Sequence, residues 1–249
     1  MLLILSVSLG GYFIYNLWTP PTCFDGKQNQ GELGVDCGGP CELLCPFQIS
    51  QLQTSWTRGF RIDDGRYAVL AYIENPNRDM YTTNAHYRVL LLDKEGETVA
   101  VQHGTTFFAG EPLVPLYVGP IATGDGVPAT VIFEWGTSRE EARWYKRRWN
   151  HELSIQGTRV VEDVQFGAEI RTTLINGSPE SVENVDIVVV VYDENENAMT
   201  ASRSLVEHLD ARGRRDVSFA WPRAFPQQHQ RIEVVARVPI PSHLTSRDR

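Results

Sequence analysis

No Asp, Glu, Lys or Arg precedes Asp25, and no cysteine follows Cys45. Basic residues are scarce as well: 23 Lys plus Arg against 31 Asp plus Glu leave a net charge of −8 over 249 residues. That balance excludes an extended phosphate-neutralising surface and argues against nucleic acid as a partner. Long helical patterns are missing, and the 20 Gly, 14 Pro and 25 aromatics suit turn-rich β structure better than a bundle. With 42% hydrophobic residues, wholesale disorder is excluded and a real core is expected. Catalytic signatures are absent too. There is no G-x-S-x-G elbow, phosphate loop, G-x-G-x-x-G or H-E-x-x-H. His86, His103, His151, His208, His229 and His243 are too dispersed to form a local zinc site. The acidic pairs Asp63–Asp64 and Asp193–Glu194 fall in expected turns, where solvation accounts for them. The chain reads as a non-enzyme.

The uncharged start, Met1 to Trp18 (MLLILSVSLGGYFIYNLW), is nearly all apolar. As a helix it would extend about 27 Å, close to the thickness of a hydrocarbon core, with Tyr12, Tyr15 and Trp18 placed as interfacial aromatics. The competing readings are a cleaved signal peptide, which lacks a basic n-region and a small-x-small site here, and a buried core helix. Residues 1–19 are therefore expected to be a transmembrane anchor.

Cys23, Cys37, Cys41 and Cys45 all fall directly after it. Their spacing matches neither a paired zinc knuckle nor a ferredoxin-like run. Two disulfides in an oxidising compartment are the expected state, against structural zinc or free thiols. Three pairings are possible and the spacing does not choose among them. This places the folded part of a single-pass membrane protein outside the cytoplasm, at the cell surface or in the periplasm.

Between the cysteines, Asp25, Asn29, Glu32 and Asp36 sit on a glycine-rich chain without hydrophobic periodicity, so residues 20–46 need something other than a core to hold them. Four oxygen-bearing side chains among flexible turns suit a calcium ion of six to eight oxygen ligands, although the spacing is not that of an EF-hand; solvated turn residues are the alternative. The stretch CFDGKQNQGELGVDCGGPC resembles a motif of bacterial surface proteins, C-x-D-G-x-x-N-x-x-E-x-G-x-D-C-G-G-x-C. That resemblance implies a small calcium-stabilised, disulfide-bonded module.

Beyond Phe47 the chain repeats. AVLAYIENPN followed by HYRVLLLDKEGETVAV is matched by EIRTTLINGS followed by VDIVVVVYDENENAMTA. Asn75 pairs with Asn176, Asp93 with Asp193, and each half closes with V-x-F-x-W, Val131–Trp135 and Val217–Trp221. The last pair is more closely spaced than the others, which predicts about fourteen extra residues in the first copy, within the loop-rich Gly104–Pro128 stretch. Short β-branched runs bounded by turn signals read as strands. Val188–Val191, apolar at every position, should be a central strand, and Trp135 and Trp221 should close the two cores.

The expected fold is all-β: two tandem antiparallel immunoglobulin-like sandwiches, residues 47–142 and 153–245, joined by a linker at 143–152. The copies resemble FxLYD and late-embryogenesis type 2 modules over residues 47–245. The order of anchor, cysteine module and two sandwiches resembles membrane-anchored surface proteins of candidate-phylum bacteria, which implies an extracytoplasmic place and no particular activity.

One basic stretch stands out, REEARWYKRRW, with Arg143, Trp144, Lys146, Arg147 and Arg148 as candidate polymer contacts. Packing between the copies is the first reading, contact with a glycan or envelope polymer the second. Two function classes follow: a structural or adhesion protein with a protein partner in the cell envelope, or a glycan- or small-ligand-binding module on the same anchor.

Overall fold

The computed structural model describes residues 22–136, 142–163, 167–225, 229–237 and 239–245. The expected anchor at residues 1–19 lies outside them, as do Arg139, Glu140 and Glu141 of the basic stretch. Among the described residues no helix is long and apolar enough to cross a membrane. The chain forms two compact units, Met1–Gln48 and Ile49–Arg249.

The described residues of the first unit, 22–48, have almost no regular structure: a single bridge between Gly34 and Cys37 and one 3-10 turn, Pro46–Gln48. Two disulfides hold it, Cys23–Cys41 and Cys37–Cys45. Closing loops of this length removes about 3 kcal/mol of chain entropy each from the unfolded state, which a segment without a core requires. The loops then turn tightly. Gly39 has a φ of +54°, and a Cβ there would lie 2.0 Å from the Gly31 carbonyl oxygen, so only glycine fits.

In the second unit the described residues form thirteen strands: Gln53–Asp63 (β1), Arg66–Glu74 (β2), Met80–Leu92 (β3), Thr98–Phe108 (β4), Leu113–Ala122 (β5), Thr130–Trp135 (β6), Tyr145–Lys146 (β7), Leu153–Asp163 (β8), Gly167–Asn176 (β9), Val182–Tyr192 (β10), Ala198–Leu209 (β11), Arg214–Trp221 (β12) and Arg231–Ala236 (β13). All pairings are antiparallel. The sheets β1-β2-β5 and β4-β3-β6 of the first half recur in the second as β8-β9-β12 and β11-β10-β13.

The repeat is more regular than the sequence landmarks suggest. Strands β2 and β9 start at Arg66 and Gly167, β5 and β12 at Leu113 and Arg214, and β6 and β13 at Thr130 and Arg231, each pair 101 residues apart. Val131–Trp135 therefore lies in β6 while Val217–Trp221 lies in β12, strands that are not equivalent. The expected fourteen-residue insertion does not exist, and Gly104–Pro128 holds the end of β4 and all of β5. Alternation of the V-x-F-x-W kind is written by any half-buried strand, so it marks burial rather than position.

The Asn and Asp landmarks are true equivalents because each makes local bonds that require its side chain. Asn75 Oδ1 accepts from the Asn77 N–H, and Asn176 Oδ1 from the Ser178 N–H. Asp93 Oδ1 accepts from the amides of Glu95 and Glu97, and Asp193 Oδ1 from those of Asn195 and Asn197. The next residues along also match: Asn77 binds both backbone groups of Ser50, and Ser178 Oγ accepts from the Glu152 N–H, tying the entry of each first strand to the end of the second.

Burial explains the composition of β10. Ile187, Val189 and Val191 pack with Ile170 and Leu174 of β9 and Val217 and Phe219 of β12, forming the core of the second half. The alternate residues Val188, Val190 and Tyr192 face the other way, against Phe60 of β1 and Leu70 and Tyr72 of β2. Strand β2 mirrors this, since Val69, Ala71 and Ile73 are equally buried on its opposite face. On that face Gly59 of β1 lies close to Val131 of β6. Four layers result, and β2 and β10 are central in sheet and layer alike. Each fully buried aliphatic side chain contributes about 1.5–3 kcal/mol.

Within residues 143–152, expected as a linker, Tyr145–Lys146 pairs with Met80–Tyr81 at the start of β3, while Glu152 bonds to Gly177 and Ser178 of the second half. Trp135 meets Phe133 and Phe108 edge-on, while Trp221 packs against the second-half core.

Candidate functional site

In the cysteine module the four expected calcium ligands meet as a hydrogen-bond network. Asp36 accepts from the backbone N–H groups of Asp25 and Gly26, and Asp25 accepts from the Lys27 N–H and from Asn29 Nδ2. Buried Glu32 accepts from the Asn29 N–H, and its Oε1 lies 3.1 Å from the Cys41 sulfur. Asn29's bond, with help from the Lys27 amide, holds the Asp25 carboxyl below the usual carboxylate range. Among the described residues the one group of three candidate ligand atoms from His, Cys, Asp or Glu within 4.8 Å of one another is Cys23, Glu32 and Cys41. Both sulfurs there are spent in the disulfide, so no thiolate is offered to a metal. The donor chemistry of Asp25, Asn29, Glu32 and Asp36 suits a hard cation; the carboxylates of Asp25, Glu32 and Asp36 are engaged by loop amides and do not gather within 4.8 Å of one another, while Asn29 Oδ1 is buried without a hydrogen-bond partner among the described residues. The three carboxylates thus form no preassembled ligand cluster in this geometry.

The aromatics of the basic stretch point into the first half. Trp144 is buried and stacks on Phe108, Tyr145 is buried and stacks on Tyr81, and Trp149 meets Tyr81 edge-on. The Arg147 N–H donates to the Asp79 carbonyl and the Arg143 N–H to Asn84 Oδ1. These contacts are all with the first half. Arg143 and Arg148 are exposed, and Lys146, Arg147 and Trp149 are half-buried.

Polar contacts between the halves come from residues that carry no sequence signal. Arg237, 2% exposed, donates to Thr106 Oγ1 at 3.1 Å, to Asp186 Oδ2 at 3.3 Å and to the Phe107 carbonyl, and stacks over the Phe107 ring. Burial pushes its pKa down and Asp186 opposes that shift. Asp186 also accepts from Arg203 Nε. Elsewhere the Tyr72 and Tyr192 hydroxyls lie 3.0 Å apart, and the Tyr192 hydroxyl donates to Glu233 Oε2. Burial raises the pKa of both phenols, so both remain protonated. Trp56 stacks on Tyr72 and Arg231 covers the Tyr192 ring.

Where the β1–β2 hairpin overhangs the second half, a cleft of about 940 Å³ opens. Strand β1 alternates, so Arg58 shares the face of Trp56 and Phe60 and points toward the second half. Arg61 and Arg66 line the hairpin side with Asp63 and Asp64; Arg223, Trp221 and Phe225 line the other. Both aspartates are paired, Asp63 with Arg66 and Asp64 with Arg61. Arg58 and Arg223 form no ion pair with a described residue. The Trp221 N–H donates to Thr200 Oγ1 at 2.9 Å, and Phe225 meets the ring edge-on at 5.2 Å, which fixes its plane. Sequence reading missed this site because its members lie on strands more than 130 residues apart.

No protein-family profile and no curated protein matches the chain. Among solved structures it is similar to the N-terminal CBM22-1-CBM22-2 tandem domain from Paenibacillus barcinonensis Xyn10C, at 8% identity over 76% of this chain and 84% of that one, with a TM-score of 0.16. A similarity at that score bears on neither fold nor ligand here.

Proposed function

We propose that this chain is a non-enzymatic structural or adhesion protein of the cell envelope, tethered to a membrane by its apolar first segment and holding its folded part outside the reducing interior. Each half of the second unit is read as one immunoglobulin-like sandwich of a duplicated pair. The observation that carries the reading is strand β10, whose two faces are both buried, one in its own half and one against β1 and β2. Two sandwiches that share so much apolar surface move as one body, and a rigid body presents its loops and edges at a fixed spacing to a protein partner. The two disulfides support the compartment.

Two measurements test this. Alkylation of protein from its native host, before and after reduction, is expected to label the four cysteines only after reduction; four thiols labelled at once would refute the compartment. Spin labels on exposed positions of the two halves, Gln102 and Glu207, are expected to give one narrow distance distribution, and a broad one would refute the rigid body.

A further inference from the structure

The cleft beneath the β1–β2 hairpin is electropositive in a chain whose net charge is −8. Four arginines and two aspartates line it. Since Asp63 and Asp64 are held by Arg66 and Arg61, the surplus positive charge resides on Arg58 and Arg223. Their guanidinium groups are planar forks that match a carboxylate with two parallel N–H···O bonds. Arg58 also helps hold Asp193 below the usual carboxylate range, after the larger effect of the Asn197 backbone N–H, yet makes no ion pair with it. The same cleft is lined by apolar surface: the half-buried Trp221 ring, fixed by Thr200 and Phe225, with Pro222, Met199 and the partly exposed Ile62.

We propose that this cleft binds an acidic oligosaccharide, a run of sugar rings bearing carboxylate groups. Sugar rings offer flat C–H faces to aromatic and apolar walls, and their carboxylates offer bidentate acceptors to Arg58 and Arg223. The volume lies at the upper end of small-ligand sites, enough for a short run of rings. A neutral glycan would leave both guanidinium groups without a carboxylate partner. A nucleic acid would require a basic track along successive phosphates, and the cleft offers only two arginines outside its ion pairs. This inference goes beyond the structural or adhesion role and does not require it.

Affinity electrophoresis of the full chain in nonionic detergent, through gels containing polygalacturonate, dextran or oligo-deoxythymidine at low salt, tests it. Retardation by polygalacturonate and none by dextran is expected. The double variant Arg58→Gln, Arg223→Gln, changed at exposed positions and checked for an unaltered melting temperature, is expected to bind polygalacturonate at least about tenfold more weakly, since both charge-assisted contacts are lost. Arg171→Gln, on β9 and paired with Glu169, is expected to bind as the parent does. No retardation by polygalacturonate, equal retardation of the double variant, or equal binding of oligo-deoxythymidine would each overturn the proposal. None of these outcomes touches the alkylation and spin-label results on which the envelope role stands.

Discussion

Asn75 and Asn176 hold equivalent places, each at the end of the second strand of its half, each buried, and each with Oδ1 capping the amide two residues on. Their backbone partners match as well, Asn75 N–H to the Pro112 carbonyl and Asn176 N–H to the Gly213 carbonyl. Their amide nitrogens differ. Asn176 Nδ2 donates to the carbonyls of Glu180 and Asp210 at 2.8 and 2.9 Å, whereas Asn75 Nδ2 is buried without an acceptor among the described residues. Replacement by Ala should separate the two sharply. A typical internal hydrogen bond contributes about 1 kcal/mol, and a buried donor or acceptor left alone costs about 1–3 kcal/mol. Asn176→Ala forfeits three bonds, so a loss of about 3 kcal/mol or more is expected. Asn75→Ala forfeits one and also removes an amide that was desolvated without return, so its loss should stay near or below about 1 kcal/mol. In a unit of this size each kcal/mol shifts the melting temperature by about 2–4 °C. Thermal unfolding of the full chain followed by tryptophan fluorescence should then show Asn176→Ala melting roughly 6–12 °C lower and Asn75→Ala no more than about 4 °C lower. Equal shifts, or a larger one for Asn75→Ala, would show that the buried amide bonds are not what these positions contribute.

Leu70→Ala opens a cavity between the halves and should cost about 2–5 kcal/mol, read in urea unfolding; a loss under about 1 kcal/mol would mean the halves do not share a core. Arg237→Met removes a buried cation from Asp186, which keeps Arg203, and strands the Thr106 hydroxyl and Phe107 carbonyl, so a loss of about 3 kcal/mol is expected in the same assay. Burial holds His151 below the usual imidazole range, with Glu180 pulling the other way. The unfolded chain takes up that proton near pH 6.5 while the folded chain resists, so stability should fall as pH drops through that value toward the folded pKa, and His151→Gln should flatten the fall. An unchanged slope in His151→Gln would remove His151 from that account. Because the module's acidic groups are engaged by loop amides, exchanging calcium for a chelator should leave disulfide-intact protein melting within about 1 °C; a rise of several degrees with calcium would show that Asp25, Asn29, Glu32 and Asp36 reorganise around an ion.

What the sequence makes legible here is what acts locally. Asn75, Asn176, Asp93 and Asp193 are visible as repeats because each side chain bonds amides two to four residues away, so the residue and its turn recur together. The continuous apolar run of β10 is visible for a different reason: a strand buried on both faces cannot alternate, and Val188–Val191 therefore marks the centre of the unit without naming what covers it. The V-x-F-x-W pattern misleads because alternation reports that one face is buried and is silent on which sheet the strand joins. The first sheet of each half takes β5 or β12 and the second takes β6 or β13, and only the ladder registers distinguish them.

The candidate site obeys the same rule in reverse. Its walls are brought together by the packing of one half on the other, so Arg58 and Arg223 are unrelated in sequence and neither sits in a basic run. The run that does stand out, Arg143 to Arg148, owes its aromatics to the first-half core, where Trp144 and Tyr145 are buried against Phe108 and Tyr81. Basic residues beside aromatics therefore mean different things in the two places. In the β7 segment Trp144 and Tyr145 turn into the first-half core, whereas beneath the β1–β2 hairpin the half-buried Trp221 ring and the guanidinium groups of Arg58 and Arg223 line the same space. Burial of the ring, rather than the local charge count, decides which of the two can grip a ligand.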